Sequence, residues 1–163
     1  MSLATRKLVA EFVGTFMLVF LAVGAAIFGI AAKVGVEGAG PGSGVLGVAF
    51  AFGLVLFVIA YAFGPISGAH VNPAVTLAML LGRRMPAKEA VGYWIVQFIA
   101  AIVAAAVLKL FVSSFGVTDY TGGLGTNSYD NGAINMPGAF VLEALLTAAF
   151  VFVILAVTEK VAA

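Results

Sequence analysis

The segment Ser67-Gly68-Ala69-His70-Val71-Asn72-Pro73-Ala74 lies between two membrane-length apolar runs and limits the folds open to this chain more than any other feature. Asn-Pro is helix-start chemistry. Asn is a preferred N-cap, and Pro suits the first helical position because the N–H it lacks has no partner there. The helix so started is apolar over residues 73–81, and Gly82, Arg83 and Arg84 follow it. About nine residues at about 1.5 Å each reach roughly 14 Å, near half of a hydrocarbon core of about 30 Å. The spacing therefore predicts a half-helix that starts inside the bilayer and is returned to the surface by the Arg pair. Half-helices of this kind line pathways for solutes.

The chain is 63% apolar and 9% charged, where soluble domains carry about 25% charged residues. That composition requires an integral membrane protein. A net charge of +1 offers nothing to nucleic acid, and the absence of Cys excludes disulfides and thiol catalysis. One His and seven carboxylates make a metal site a poor prospect, and no cofactor is expected. The apolar run after Arg6 and Lys7 is too long for a signal-peptide core and lacks a cleavage site, so it reads as a first span.

Four segments are long and apolar enough to cross, at about residues 8–30, 45–63, 93–111 and 140–157. Gly14, Gly24, Gly47, Gly53, Ala100, Ala101, Ala104 and Ala105 run through them and favour close helix approach. Alternating spans put Arg6, Lys7, Arg83, Arg84, Lys88 and Lys160 on one side and Lys33 and Lys109 on the other. This bias predicts cytoplasmic termini. Residues 112–139 form a long external loop rich in Gly, and Tyr93 and Trp94 fall where an interfacial aromatic belt belongs.

Two carboxylates inside spans have matching neighbours. Glu11, Thr15, Val19 and Phe20 are followed 132 residues later by Glu143, Thr147, Val151 and Phe152. Carboxylates are costly in lipid and default to a role. Span four crosses in the opposite direction to span one, so the pattern predicts an inverted-topology repeat. Its first copy occupies residues 1–111. The second is represented by its first span, residues 140–157, and two more spans with a second half-helix are expected to complete it.

The stretch from Ser67 to Thr76 resembles the first Asn-Pro-Ala loop of the aquaporin (major intrinsic protein) family. Glu11 and Thr15 on span one and Ala51-Phe52-Gly53 on span two match the same family. The resemblance is to bacterial water channels and covers the whole chain. Pro65 and Ala69 are small departures from positions where His and Gly are common. The resemblance implies an all-α membrane protein: an incomplete aquaporin-like bundle of four transmembrane helices plus one re-entrant half-helix. The second half of the family's fold carries another Asn-Pro-Ala and the filter's His and Arg.

The resemblance also implies roles. Asn72 caps the half-helix and turns its amide N–H groups toward passing water, with the positive helix end beside it. Together they disfavour cations and break a proton wire. Gly68, Ala69, His70 and Val71 line the pathway through backbone carbonyls, and His70 has two open readings, a bond to nearby backbone or direct lining. Glu11 and Glu143 brace re-entrant loops by accepting backbone N–H bonds. Phe52 matches the aromatic filter position of span two and favours water over glycerol; core packing is its plain alternative. Arg83, Arg84 and Lys88 anchor the cytoplasmic face.

The leading expectation is a subunit of a passive water channel in the inner membrane, a homotetramer when complete. Glycerol or another small neutral solute is the alternative cargo. A non-conducting chain that assembles with a full-length or complementary second-half partner is the alternative role. An enzyme would have to use Glu11 with His70, the one conceivable pair, and none is expected.

Overall fold

The computed structural model describes residues 1–30, 43–129 and 134–159. The expectations for Lys33, Lys160 and most of the first external loop fall outside these residues. Five α-helices follow in chain order: α1 (Leu3–Met17), α2 (Ser43–Ser67), α3 (Pro73–Leu81), α4 (Ala87–Ser114) and α5 (Met136–Val157). Helix α1 continues as wider π-helical turns over Leu18–Val23 and Ala26–Ile30. No strand occurs among the described residues. Among the described residues, four segments are long and apolar enough to cross a membrane: Leu3–Phe28, Gly44–Ser67, Ala87–Ser114 and Met136–Val157. The protein is an all-α integral membrane bundle with one half-helix.

The helices overrun the apolar stretches because local chemistry, not hydropathy, sets their ends. Ser2 caps α1, its hydroxyl accepting from the Thr5 N–H at 3.2 Å, so the helix starts five residues ahead of Leu8. Asn135 caps α5 through the Gly138 N–H at 2.9 Å, with Pro137 in the first turn. Helix α2 runs through Pro65 to Ser67. Pro65 lies in the last turn, where it removes one backbone bond and stiffens the helix end just before the chain turns.

Helix α4 buries Ala90, Tyr93, Gln97, Ala100, Ala104 and Leu108, a stripe at three- and four-residue steps along one helix face. Against it lies α1, with Ala10, Glu11, Gly14 and Thr15 buried. Lipid tails are as apolar as these side chains, so the contact depends on close fit and polar bonds, not on removal from water. Gly24 shows the fit: a Cβ there would stand 3.2 Å from Leu108 Cδ2. Gly53 by contrast faces open space and packs against nothing. At the far end of α1 and α4, Phe20, Phe28 and Phe115 surround Phe111 at centroid distances of 5.4–6.2 Å. Helix α5 has no buried residue.

Polar contacts fix the helix directions. Lys7 Nζ is 2.8 Å from Glu89 Oε1, which joins the start of α1 to the start of α4. Arg84, just past α3, donates to the Leu155 carbonyl at 3.0 Å and the Thr158 hydroxyl at 3.1 Å and pairs with Glu159. The end of α5 therefore lies at the same face as the start of α1, and the two helices cross in opposite senses. At the opposite face the Tyr120 N–H donates to the Ile27 carbonyl at 2.9 Å, laying the loop after α4 over the end of the first span.

Candidate functional site

Between α2 and α3 the chain turns back inside the bundle in five residues. Gly68, Ala69 and Val71 have φ of 89°, 48° and 42°. The left-handed region is ordinary for Gly but strained for Ala and more so for β-branched Val, at about 1–3 kcal/mol each. Asn72 then returns to extended backbone (φ −151°, ψ 128°), and its Oδ1 accepts from the Ala74 N–H at 2.8 Å. Helix α3 begins at Pro73 and ends at Gly82, where the Arg84 N–H bonds the Met79 carbonyl at 2.8 Å across left-handed Arg83.

One carboxylate holds the strained turn. Glu11 is fully buried. Its Oε1 accepts from the Ser67 hydroxyl at 2.7 Å and the His70 N–H at 2.9 Å; its Oε2 accepts from the Val71 N–H at 2.7 Å and the Gln97 amide at 2.9 Å. Four donors fill the roughly four lone-pair sites of a carboxylate. Further partners close the turn. Tyr93 Oη donates to the Ser67 carbonyl at 2.7 Å, Trp94 Nε1 to the Pro73 carbonyl at 3.1 Å, and Gln97 also donates to Thr76 Oγ1 at 3.1 Å. Tyr93 is buried, so both aromatics expected at an interfacial belt are instead spent on the re-entrant backbone. Lipid offers no water to irregular backbone, so such bonds must come from the protein.

His70 bonds a neighbouring side chain, where the sequence left open a bond to nearby backbone or direct lining of the pathway. Its Nδ1 lies 3.1 Å from Thr76 Oγ1 and its ring stands edge-on to Tyr93 at 5.1 Å, while the ring also borders a cavity of about 540 Å³. Gly68 lines the same cavity, together with Lys7, Arg83 and Glu89. A Cβ on Gly68 would meet the His70 ring at 3.3 Å, so both its φ and its neighbour favour Gly. The Val71 side chain points away, packed on Gly14, where a Cβ would stand 2.6 Å from Val71 Cγ1. Among the described residues no hydrogen bond ends on the carbonyls of Gly68, Ala69, His70 or Val71.

Glu11, Gly68, Ala69, His70, Val71 and Asn72 thus converge. Phe52 and Glu143 do not join them. Phe52 is 40% exposed on α2, about 22 Å along the helix from Ser67. Glu143 is exposed on α5 and accepts no hydrogen bond from the described residues. Ser67 and Thr76, read only as ends of the motif, Tyr93 and Trp94, read as belt residues, and Gln97 also belong to the site. A buried-face Gln inside an apolar span is the one signal that points to them.

A family model for the major intrinsic proteins matches residues 1–163. The chain is 49% identical over 155 residues to the glycerol uptake facilitator protein-like 6 of Lactiplantibacillus plantarum, covering 95% of this chain and 64% of that protein. It is 43% identical to an aquaporin Z of Brucella melitensis, over 96% of this chain and 67% of the relative. An aquaporin Z of Rhodopseudomonas palustris is 42% identical, over 95% and 63% respectively. The chain spans about two thirds of the length of these relatives. With its model matched from end to end around a re-entrant Asn-Pro half-helix, the chain belongs to the major intrinsic protein family.

Proposed function

We propose that the chain is a subunit of a passive water channel in the inner membrane, with both termini cytoplasmic. The observation that carries this reading is the row of four carbonyls from Gly68 to Val71, ending at Asn72, that have no partner among the described residues. Carbonyls at membrane depth require hydrogen-bond donors. Water supplies them from the adjoining cavity, which Gly68 and His70 line, and passes on toward Asn72. Asn72 uses its Oδ1 on the helix cap, which leaves its Nδ2 hydrogens to donate to a water oxygen at the positive end of α3. Water so held donates in one direction on each side, and a proton relay through it is interrupted.

Cations at the face where α1 starts and α5 ends (Arg6, Lys7, Arg83, Arg84 and Lys88) support the orientation. Glycerol is the second reading, favoured by the name of the Lactiplantibacillus relative. In a complete pore Glu143 braces a second re-entrant loop as Glu11 braces the first, Phe52 narrows the passage toward water, and four such pores assemble.

Stopped-flow osmotic shrinkage of proteoliposomes holding the folded chain tests the proposal, with glycerol uptake measured on the same vesicles. Water permeability above empty liposomes, with a low activation energy, is expected. It should be lost in Asn72→Asp, which keeps the capping oxygen but removes the amide donor. Folded, inserted chain with no excess permeability would make it a non-conducting partner. Permeability that survives Asn72→Asp would remove Asn72 from the pathway.

A further inference from the structure

On the outside of the bundle the first turns of α1 and α4 diverge and leave a cavity of about 550 Å³. Its walls include Leu3, Ala4 and Leu8 of α1 and Pro86 and Gly92 beside them. It closes inward where the helices meet, since a Cβ on Gly92 would stand 3.2 Å from Leu8 Cδ2. Lys7, Glu89 and Lys88 also line it. Lys7 and Glu89 neutralise each other at 2.8 Å; Lys88 is exposed and has no carboxylate partner among the described residues. Exposed Arg6 adds positive charge one residue before Lys7.

An apolar notch with one unmatched cation at its rim suits a ligand with an anionic head and a hydrocarbon tail. A small soluble anion leaves the walls unused, and a neutral lipid leaves Lys88 unmatched. We propose that the notch holds one anionic phospholipid of the leaflet at this face, its phosphate at Lys88 and an acyl chain against Leu3, Ala4 and Leu8. Lys7 and Glu89 border both this notch and the cavity under His70, so the ion pair is the partition between them. The bound lipid covers the outer side of that partition. The proposal stands apart from the question of which solute the pathway carries.

The test is native mass spectrometry of the chain purified in neutral detergent, offered equal amounts of phosphatidylglycerol and phosphatidylcholine with the same acyl chains. Phosphatidylglycerol should be retained about fivefold over phosphatidylcholine, the effect of one Lys near an anionic surface. Lys88→Gln should abolish that preference, and Ala4→Trp, which fills the notch, should abolish retention of both lipids. Arg83→Gln, on the same face but outside the notch, should leave the preference intact. Circular dichroism checks that each variant folds, and Lys88→Gln decides alone if Ala4→Trp does not. Equal retention of both lipids, displacement by free glycerol phosphate, or the same loss in Arg83→Gln would overturn the proposal.

Discussion

Replacing Glu11 by Gln should release the re-entrant turn while leaving the helices in place. The amide keeps one acceptor oxygen and puts an N–H group where the other oxygen stood. If it replaces Oε2, it faces the Val71 N–H, and if it replaces Oε1, it faces the His70 N–H. Gln97 can turn its own amide, whose Oε1 has no partner, to accept from the new group. Neither backbone N–H can turn, so in both orientations a buried one loses its acceptor, at about 1–3 kcal/mol. The remaining bonds lose their charge assistance, at about 1 kcal/mol each. Lower desolvation cost of a neutral group offsets part of this. A net loss of about 3 kcal/mol follows, about a hundredfold in the local opening equilibrium. The strain at Ala69 and Val71 favours opening once the carboxylate is gone. Amide hydrogen exchange in detergent micelles reads the effect directly. His70 and Val71 should lose about a hundredfold in protection, while the Ala100 amide in the α4 core keeps its own. Equal protection of His70 and Val71 in both proteins would show that the turn does not depend on the carboxylate.

Gly14→Ala should lower the apparent thermal midpoint by the equivalent of about 1–3 kcal/mol, because the new Cβ meets Val71 Cγ1 at 2.6 Å and Ile59 Cγ2 at 3.2 Å. Gly24→Ala meets the tip of Leu108 at 3.2 Å and the Phe28 ring at ordinary contact distance, and should be mild by the same measurement. In the loop after α4, the Thr121 hydroxyl and the Leu124 N–H hold the Asp119 carboxyl below the usual carboxylate range. A depressed pKa means that the order it lends is present above the unfolded value and is lost as pH falls through the folded one. Leu124 amide protection should therefore decrease on acidification below the usual carboxylate range, and in Asp119→Asn it should lose that pH dependence. Arg84→Ala frees the last turn of α5, and exchange at Thr158 and Glu159 should rise about fivefold or less, the scale of an exposed pair.

What the sequence discloses divides by distance along the chain. The half-helix was legible to the residue at both ends, since Asn72, Pro73 and Gly82 act on neighbours within a turn. Glu11 was legible as a carboxylate too costly to lie idle in lipid, and its loop partners were legible only by resemblance. Its bonds to Ser67 and Gln97 reach across 56 and 86 residues, and no local pattern marks such partners. Tyr93 and Trp94 misled for the same reason. An aromatic with a polar tip near a span's end fits the headgroup layer, but a strained turn competes for that tip, and here the turn wins. Hydropathy found the spans but not their ends, because Ser2 and Asn135 extend the helices through caps. The π-helical turns after Met17 had no signal in composition at all.

The dependence of the turn on Glu11 also orders events at the translocon. The turn is held by Glu11 on α1, which Gln97 of α4 braces in turn, and by Tyr93 of α4, and α4 is synthesised after the turn itself. Until α4 emerges, the Ser67 carbonyl lacks Tyr93 and the Glu11 carboxylate lacks Gln97, so the turn is cheaper to keep in water. The half-helix should therefore stay in water until α4 is made, and join the bundle only then.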